Sequence, residues 1–363
     1  MCLEMNLKNN LKRSLLTRIA FFLMLFIVLS CSDDSTTETP PLGDYENGYF
    51  ITNEGPFQNG TGTITFVSDD GVVSQNVYKT VNGEDLGNIV NSMYIYDDMA
   101  YIVVNNSHRV VVVNRYTMEK LATIEGNDIL NPRHFTVAND TGYVSNWGDP
   151  FDTTDDFVAV VDLNTNTVMG KISVGEGPER MISNEAEVFV ALQGGYGQNN
   201  IVAVIDTETG QVKDNISVGD VPNSLAFDDR GDVLVLCGGS PSFTALETAG
   251  SLYRIDKSDF STSFLEFESE QHPSLLNYDG GLAFYLLNGK VYQTDSSSES
   301  LPTEAVNGLD GFYYGMTVKN RILYGTDAGD FTSEGTVKRF NVISGELLET
   351  IPAGIVPGSV VVP

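Results

Sequence analysis

The sequence predicts an all-β fold, a seven-bladed β-propeller of four-stranded blades closed by a blade that both termini share. Three observations predict it. A strand-starting anchor recurs seven times at intervals of roughly 40 to 50 residues, the period of one repeated supersecondary unit. Its clearest copies are Gly175-Glu176-Gly177-Pro178 and Gly219-Asp220-Val221-Pro222, and fainter ones centre on Asn91, Pro132, Pro273, Phe312 and Pro357. Between anchors, short β-branched runs alternate with Gly, Asn and Asp turns, as antiparallel strands require. Finally, the last anchor is followed by one strand only, Gly358 to Pro363. The amino end supplies three strands, Tyr49–Thr52, Gly62–Val67 and Val72–Thr80, with no inner strand before them. Joining the two ends closes the ring and removes free sheet edges.

The first 30 residues are set apart by composition. Lys8, Lys12, Arg13 and Arg18 form a basic stretch, and Ile19 to Leu29 is apolar but short for a membrane span. Val28-Leu29-Ser30-Cys31 resembles a bacterial lipobox, so residues 1–30 are expected to be a lipoprotein signal peptide and Cys31 the lipidated residue. The alternative is an ordinary signal peptide with a chance Cys. Residues 31–47, opening Ser32-Asp33-Asp34, are acidic and lack a hydrophobic run, so they read as a tether. An acidic pair directly after such a Cys resembles the surface-export signal of some Gram-negative lipoproteins. The expected location is the outer membrane, lipid-anchored and facing outward, with a periplasm-facing anchor as the alternative.

The propeller then spans residues 48–363. Its third blade is the clearest: Arg180 to Ser183 (a), Val188–Leu192 (b), Ile201–Asp206 (c) and Gln211–Val218 (d), with Thr207-Glu208-Thr209-Gly210 as the c–d turn. The Asp or Asn that closes each c strand, as at Asp162, Asp206, Asp256 and Asn341, is placed to accept the turn's N–H groups. Blade five is degenerate. Cys237 lies in the apolar run Val233–Cys237 without a partner Cys in the propeller, so it reads as a buried small hydrophobe.

The formal charge of −29, from 20 Lys and Arg against 49 acids, excludes nucleic acid as a partner, because no basic face can be assembled. Catalytic constellations are missing too. The three His, at 108, 134 and 272, fall in different blades, and no His-Glu-x-x-His or Gly-x-Ser-x-Gly occurs. The acidic loop Asp149–Asp156 lacks the Asp spacing and Gly of a calcium loop. A binding protein without enzyme activity, cofactor or metal is therefore expected.

Topology says where a ligand goes. In an antiparallel four-stranded blade, the d–a and b–c connections share one face. The a–b and c–d turns here are minimal, while several b–c loops are long, and long loops that persist usually serve function. Those loops carry Phe57, Phe151, Tyr196, Phe243 and Phe331, and Trp147 ends a b strand beside them. Together they are expected to line a shallow funnel for a flat or amphipathic ligand. Each aromatic packing its own loop is the alternative. Nearer the axis, the anchors add Arg133, Arg180, Asn223, His272 and Tyr314. The arginines suit a ligand carboxylate or phosphate, or else an ion pair with a loop acid such as Glu179 or Asp149. His272 is either a ligand contact or a satisfied structural His.

The run Ile201–Gly210 followed by Ile216-Ser217-Val218-Gly219 resembles the YVTN-repeat, YncE-like propellers. Phe50-Ile51-Thr52-Asn53-Glu54-Gly55 with Gly60-Thr61-Gly62-Thr63-Ile64 resembles a surface lipoprotein subfamily of them. That resemblance implies capture of a small molecule, such as a corrinoid or siderophore, for a TonB-dependent outer-membrane transporter. The alternatives are a structural or adhesive module for protein or glycan, and a metal-dependent propeller hydrolase.

Overall fold

Strands b and c read as nearly continuous apolar runs because each blade is packed between two others and buries both faces. In the computed structural model, which describes residues 41–57 and 59–363, strand Glu187–Leu192 is buried at every position but the first, whereas the outermost strand Gln211–Ser217 buries only Ile216 fully. The signal segment, Cys31 and all but the end of the tether lie outside the described residues.

Seven antiparallel sheets result. Their inner strands are Val90–Tyr96, Pro132–Ala138, Pro178–Ser183, Pro222–Phe227, Ser274–Asp279, Gly315–Lys319 and Pro357–Val361. We number the blades 1 to 7 in that order. Each inner strand touches the next, and blade 7 touches blade 1, so the ring is closed. The expected shared blade is present: Pro357–Val361 pairs antiparallel with Gly48–Asn53, which pairs with Thr63–Ser68. The cores repeat the ring. Seven apolar clusters form among the described residues, one between each pair of neighbouring blades.

Two expectations need correction. Blade 5 has three strands, not four, because the Ser-rich segment after Asp295 offers few β-branched residues to pair. It continues as a loop that bonds back to the blade, from the Val306 N–H to the Val291 carbonyl, and buries Leu309. In blade 7 the run Val72–Thr80 is not one strand. Only Val73–Ser74 pairs, and Val77–Asn82 forms a short helix that buries Val77 and Tyr78 against blade 1.

The turns behave as their chemistry requires. Asp206 Oδ1 accepts from the N–H groups of Glu208 and Thr209, and Asn341 Oδ1 accepts from those of Ile343 and Ser344. The a–b turn Asn139-Asp140 has both residues at positive φ (47° and 56°), which Asn and Asp tolerate. Cys237 is fully buried, and burial pushes its thiol up to about 12.

Candidate functional site at the axial mouth

A β-bulge adds one residue to a strand and re-aims its side chains. Six of the seven inner strands carry such a register shift, and each lies within the first turn of chain after the anchor. The extra residue falls at Asn91 in blade 1, Arg133–His134 in blade 2, Glu179–Arg180 in blade 3, Asn223 in blade 4, Leu275–Leu276 in blade 5 and Gly358–Ser359 in blade 7. Blade 6 keeps a regular register from Gly315. The bulges therefore turn the anchor side chains out of their sheets toward the axis, on the face of the b–c loops.

There they line a depression of about 330 Å³, with Arg133, Arg180, Asn223 and Tyr314 on its wall together with Glu54, His134, Glu179 and Gln193. A second cavity of about 340 Å³ continues along the axis between Met93, Phe135, Met181, Leu225, Leu276 and Met316. Arg180, His134 and Leu275 belong to both, so they stand where mouth meets channel.

The two arginines have different fates. Arg133 is clamped by Glu179 through two bonds of 2.8 and 2.9 Å, and its guanidinium lies 4.4 Å from the Trp147 ring. Trp147 donates its indole N–H to the Pro178 carbonyl at 3.1 Å. Burial opposes ionisation of Glu179, but Arg133 and His134 outweigh it and hold the carboxyl far below the usual range. His134 stands 3.6 Å from that carboxylate, yet burial, with Arg180 and Arg133 nearby, keeps its pKa below the ordinary value. Arg180 makes no ion pair and no side-chain hydrogen bond among the described residues. Desolvation weakens its hold on its proton, although Glu179 pulls the other way. Tyr314 donates to Glu54 Oε1 at 2.9 Å, and burial raises the pKa of both groups.

The aromatics do not form one funnel. Trp147, Phe151 and Tyr196 make a trio, with ring centroids 5.9 Å (Trp147–Tyr196) and 5.7 Å (Phe151–Tyr196) apart. It adjoins the mouth through Arg133. Tyr314 and Phe331 make an edge-to-face pair at 5.5 Å. Phe57 and Phe243 are exposed and touch no other ring among the described residues. His272 is spent on structure: Nδ1 meets the Gly238 carbonyl at 2.8 Å and Nε2 meets Glu247 at 3.1 Å, which pins the long loop of blade 4. Asn223 holds the Pro273 carbonyl and accepts from Ser224, so it ties blades 4 and 5 together at the rim.

Sequence reasoning took one residue per anchor as a ligand contact. It offered Glu179 only as an ion-pair partner for the arginines, which it is for Arg133, and passed over His134. Aligned on proline, Pro132-Arg133-His134 and Pro178-Glu179-Arg180 occupy the same two positions in adjacent blades. Reading both columns would have exposed Glu179 and His134 as mouth residues. Glu54 and Gln193, at the ends of b strands, had no such signal.

A model of the family described as Domain of unknown function (DUF5074) matches residues 47–351. No curated protein matches the chain. Among solved structures it is similar to Kuenenia stuttgartiensis Hydrazine Synthase, with a TM-score of 0.57 at 15% identity over 81% of this chain and 90% of that one. It is also similar to a computationally designed protein, Ika8, with a TM-score of 0.53 at 13% identity over 87% and 90% of the two chains. Apo AztD from Citrobacter koseri gives a TM-score of 0.52 at 11% identity over 86% and 96%. At such identities the likeness is one of fold, which by itself assigns no activity. The chain belongs to the DUF5074 family, a domain of unknown function carried here on a seven-bladed β-propeller.

Proposed function

We propose that this protein captures a small molecule at the axial mouth of its loop face and performs no chemistry on it. The observation that carries this reading is the convergence of six bulges on one depression. Bulges cost regular pairing, and their shared position aims side chains at a single point. An aromatic trio on one rim supplies the apolar contact such a ligand needs.

The fuller form of the reading is a surface lipoprotein, anchored through Cys31 to the outer membrane. It takes up a nutrient of the corrinoid or siderophore class and passes it to a TonB-dependent transporter. The lipobox-like Val28–Cys31, the acidic pair after it and the resemblance to YncE-like surface propellers support this form. Trp147, the only tryptophan, packs against Arg133 of the mouth wall and is the natural fluorescent probe of it. Titrating the purified chain with a corrinoid and with a ferric siderophore is expected to change Trp147 fluorescence saturably with one of them. Tyr196→Ala should weaken that binding by about tenfold, the scale of one lost stacking contact. Unchanged affinity in Tyr196→Ala would move the ligand away from the trio, and no response to either compound would remove this nutrient class.

A second reading has one specific observation in its favour. Phe57, Phe151 and Phe243 are exposed by 72, 87 and 87% on b–c loops, more apolar surface than a small ligand needs. A protein or glycan partner across the loop face would cover them. In that case, the triple Ala variant at these positions loses the partner while the Trp147 response to small molecules is absent.

A further inference from the structure

The unspent charge at the mouth belongs to one residue. A buried or half-buried arginine is ordinarily matched by a carboxylate or by several acceptors, because removing it from water uncompensated is expensive. Arg133 follows that rule with Glu179. Arg180, one residue further along the same bulge, does not. It has no carboxylate within 4 Å and no acceptor for its guanidinium among the described residues, and it lies between the mouth and the channel. The acids that could have served it are committed elsewhere. Glu179 faces Arg133 and His134, and Glu54 accepts from Tyr314. His134 beside it has its pKa held down, so it adds no fixed positive charge.

We propose that Arg180 is the receptor for a single acidic group, a carboxylate or a phosphate, on the molecule that the mouth captures, and that Arg133 is not. This rests on the reading of the mouth as a ligand site and adds the ligand's charge class to it. Arg180 lines both the mouth and the channel, and its planar guanidinium suits a two-oxygen contact with either group. Arg133 is saturated by a two-bond clamp, and recruiting it would strand Glu179 in a buried position. A neutral molecule of the same shape leaves Arg180 unpaired and is bound less well. The nearby Gln193 amide, which makes no side-chain hydrogen bond among the described residues, can join the contact.

The test uses the purified chain with inorganic phosphate, with benzoate and with benzamide, the neutral counterpart of benzoate. Binding is followed by Trp147 fluorescence and by calorimetry. Phosphate, benzoate or both are expected to bind saturably, and which of them does identifies the acid group. Benzamide is expected to bind at least tenfold more weakly than the anion. Arg180→Gln should weaken the anion at least tenfold, and Arg180→Lys by less. A readout without any probe separates a receptor from a structural arginine: Arg180→Met should leave the melting temperature equal or higher, since it removes an uncompensated charge.

Benzamide binding as well as benzoate, with Arg180→Gln unaffected, would overturn the anion assignment and leave the mouth as a ligand site. A fall in melting temperature for Arg180→Met, with no probe bound, would overturn both. Anion binding abolished by Arg133→Gln but intact in Arg180→Gln would overturn the division of roles between the two arginines.

Discussion

Asp156 shows how a single buried carboxylate can couple two blades. It closes the long b–c loop of blade 2 and accepts the backbone N–H of Gly177, in the anchor of blade 3, at 2.6 Å. Gly177 sits at φ 70°, and a Cβ there would meet the Gly195 backbone nitrogen at 2.0 Å, so glycine is required for the anchor to reach the loop of its own blade. Burial pushes the Asp156 carboxyl up to about 6, the Gly177 bond only partly offsetting it, with Asp155 and Glu176 adding repulsion. The folded value lies above the ordinary one, so Asp156 favours folding at low pH and that contribution is lost as pH rises through about 6. Asp156→Asn keeps an acceptor oxygen for Gly177 and removes the charge. We expect it to be more stable than wild type at pH 8 by about 1 to 2 kcal/mol. The two should converge below pH 4. Denaturant melts at pH 4, 6 and 8 check this, and a constant difference across the series would mean that the carboxyl does not titrate in this window.

At the scale of the strand, the anchors share a backbone strain that their sequences hide. The residue just before five of the inner strands has positive φ: Ile89 (61°), Asn131 (49°), Gly177 (70°), Val221 (57°) and Val356 (53°). Asn and Gly accept this region, whereas a β-branched side chain collides with its own backbone there at roughly 1 to 2 kcal/mol. The tight entry into the bulge imposes the conformation in each blade. Two repeats fill it with suitable residues and three do not. Val221→Asn, which copies blade 2, should therefore stabilise the protein by about 1 kcal/mol. A chemical melt reads it, and a loss of stability would show that Val221 packing outweighs the strain. This is also the level at which the sequence stopped being readable. The anchors were legible because proline, glycine and the spacing repeat. The bulges were not, since an extra residue in a strand leaves no mark in a run such as Pro178-Glu179-Arg180-Met181. Taken as single anchor residues, Arg133 and Arg180 look equivalent, but the bulges of blades 2 and 3 share one register and the two arginines stand one place apart in it. That offset sets Arg133 against Glu179 and leaves Arg180 without an ion pair among the described residues. The single aromatic funnel failed for a related reason. Some loop aromatics pair with a neighbouring ring while Phe57 and Phe243 stand exposed, and which rings are near depends on loop paths that composition does not encode.

The whole molecule sets how an anion reaches Arg180. The chain carries a formal charge of −29, while the mouth is close to balanced, with Arg133 and Arg180 against Glu54 and Glu179. At about 10 mM salt the screening length is roughly 30 Å, so an approaching anion feels the acids of the entire ring and is repelled. At about 150 mM it is roughly 8 Å, and only the mouth's own charges remain in range. The long-range repulsion is thus removed before the contact with Arg180 is. The association rate for an anionic probe is expected to rise with salt, by about threefold between these limits, the reverse of ordinary electrostatic steering. The dissociation rate, governed by the short-range contact, should change less. Stopped-flow measurements of Trp147 fluorescence with benzoate or phosphate at the two salt concentrations decide it. An association rate that falls with salt would mean that the mouth projects a positive field beyond its own rim, and that acids elsewhere on the ring leave the approach path open.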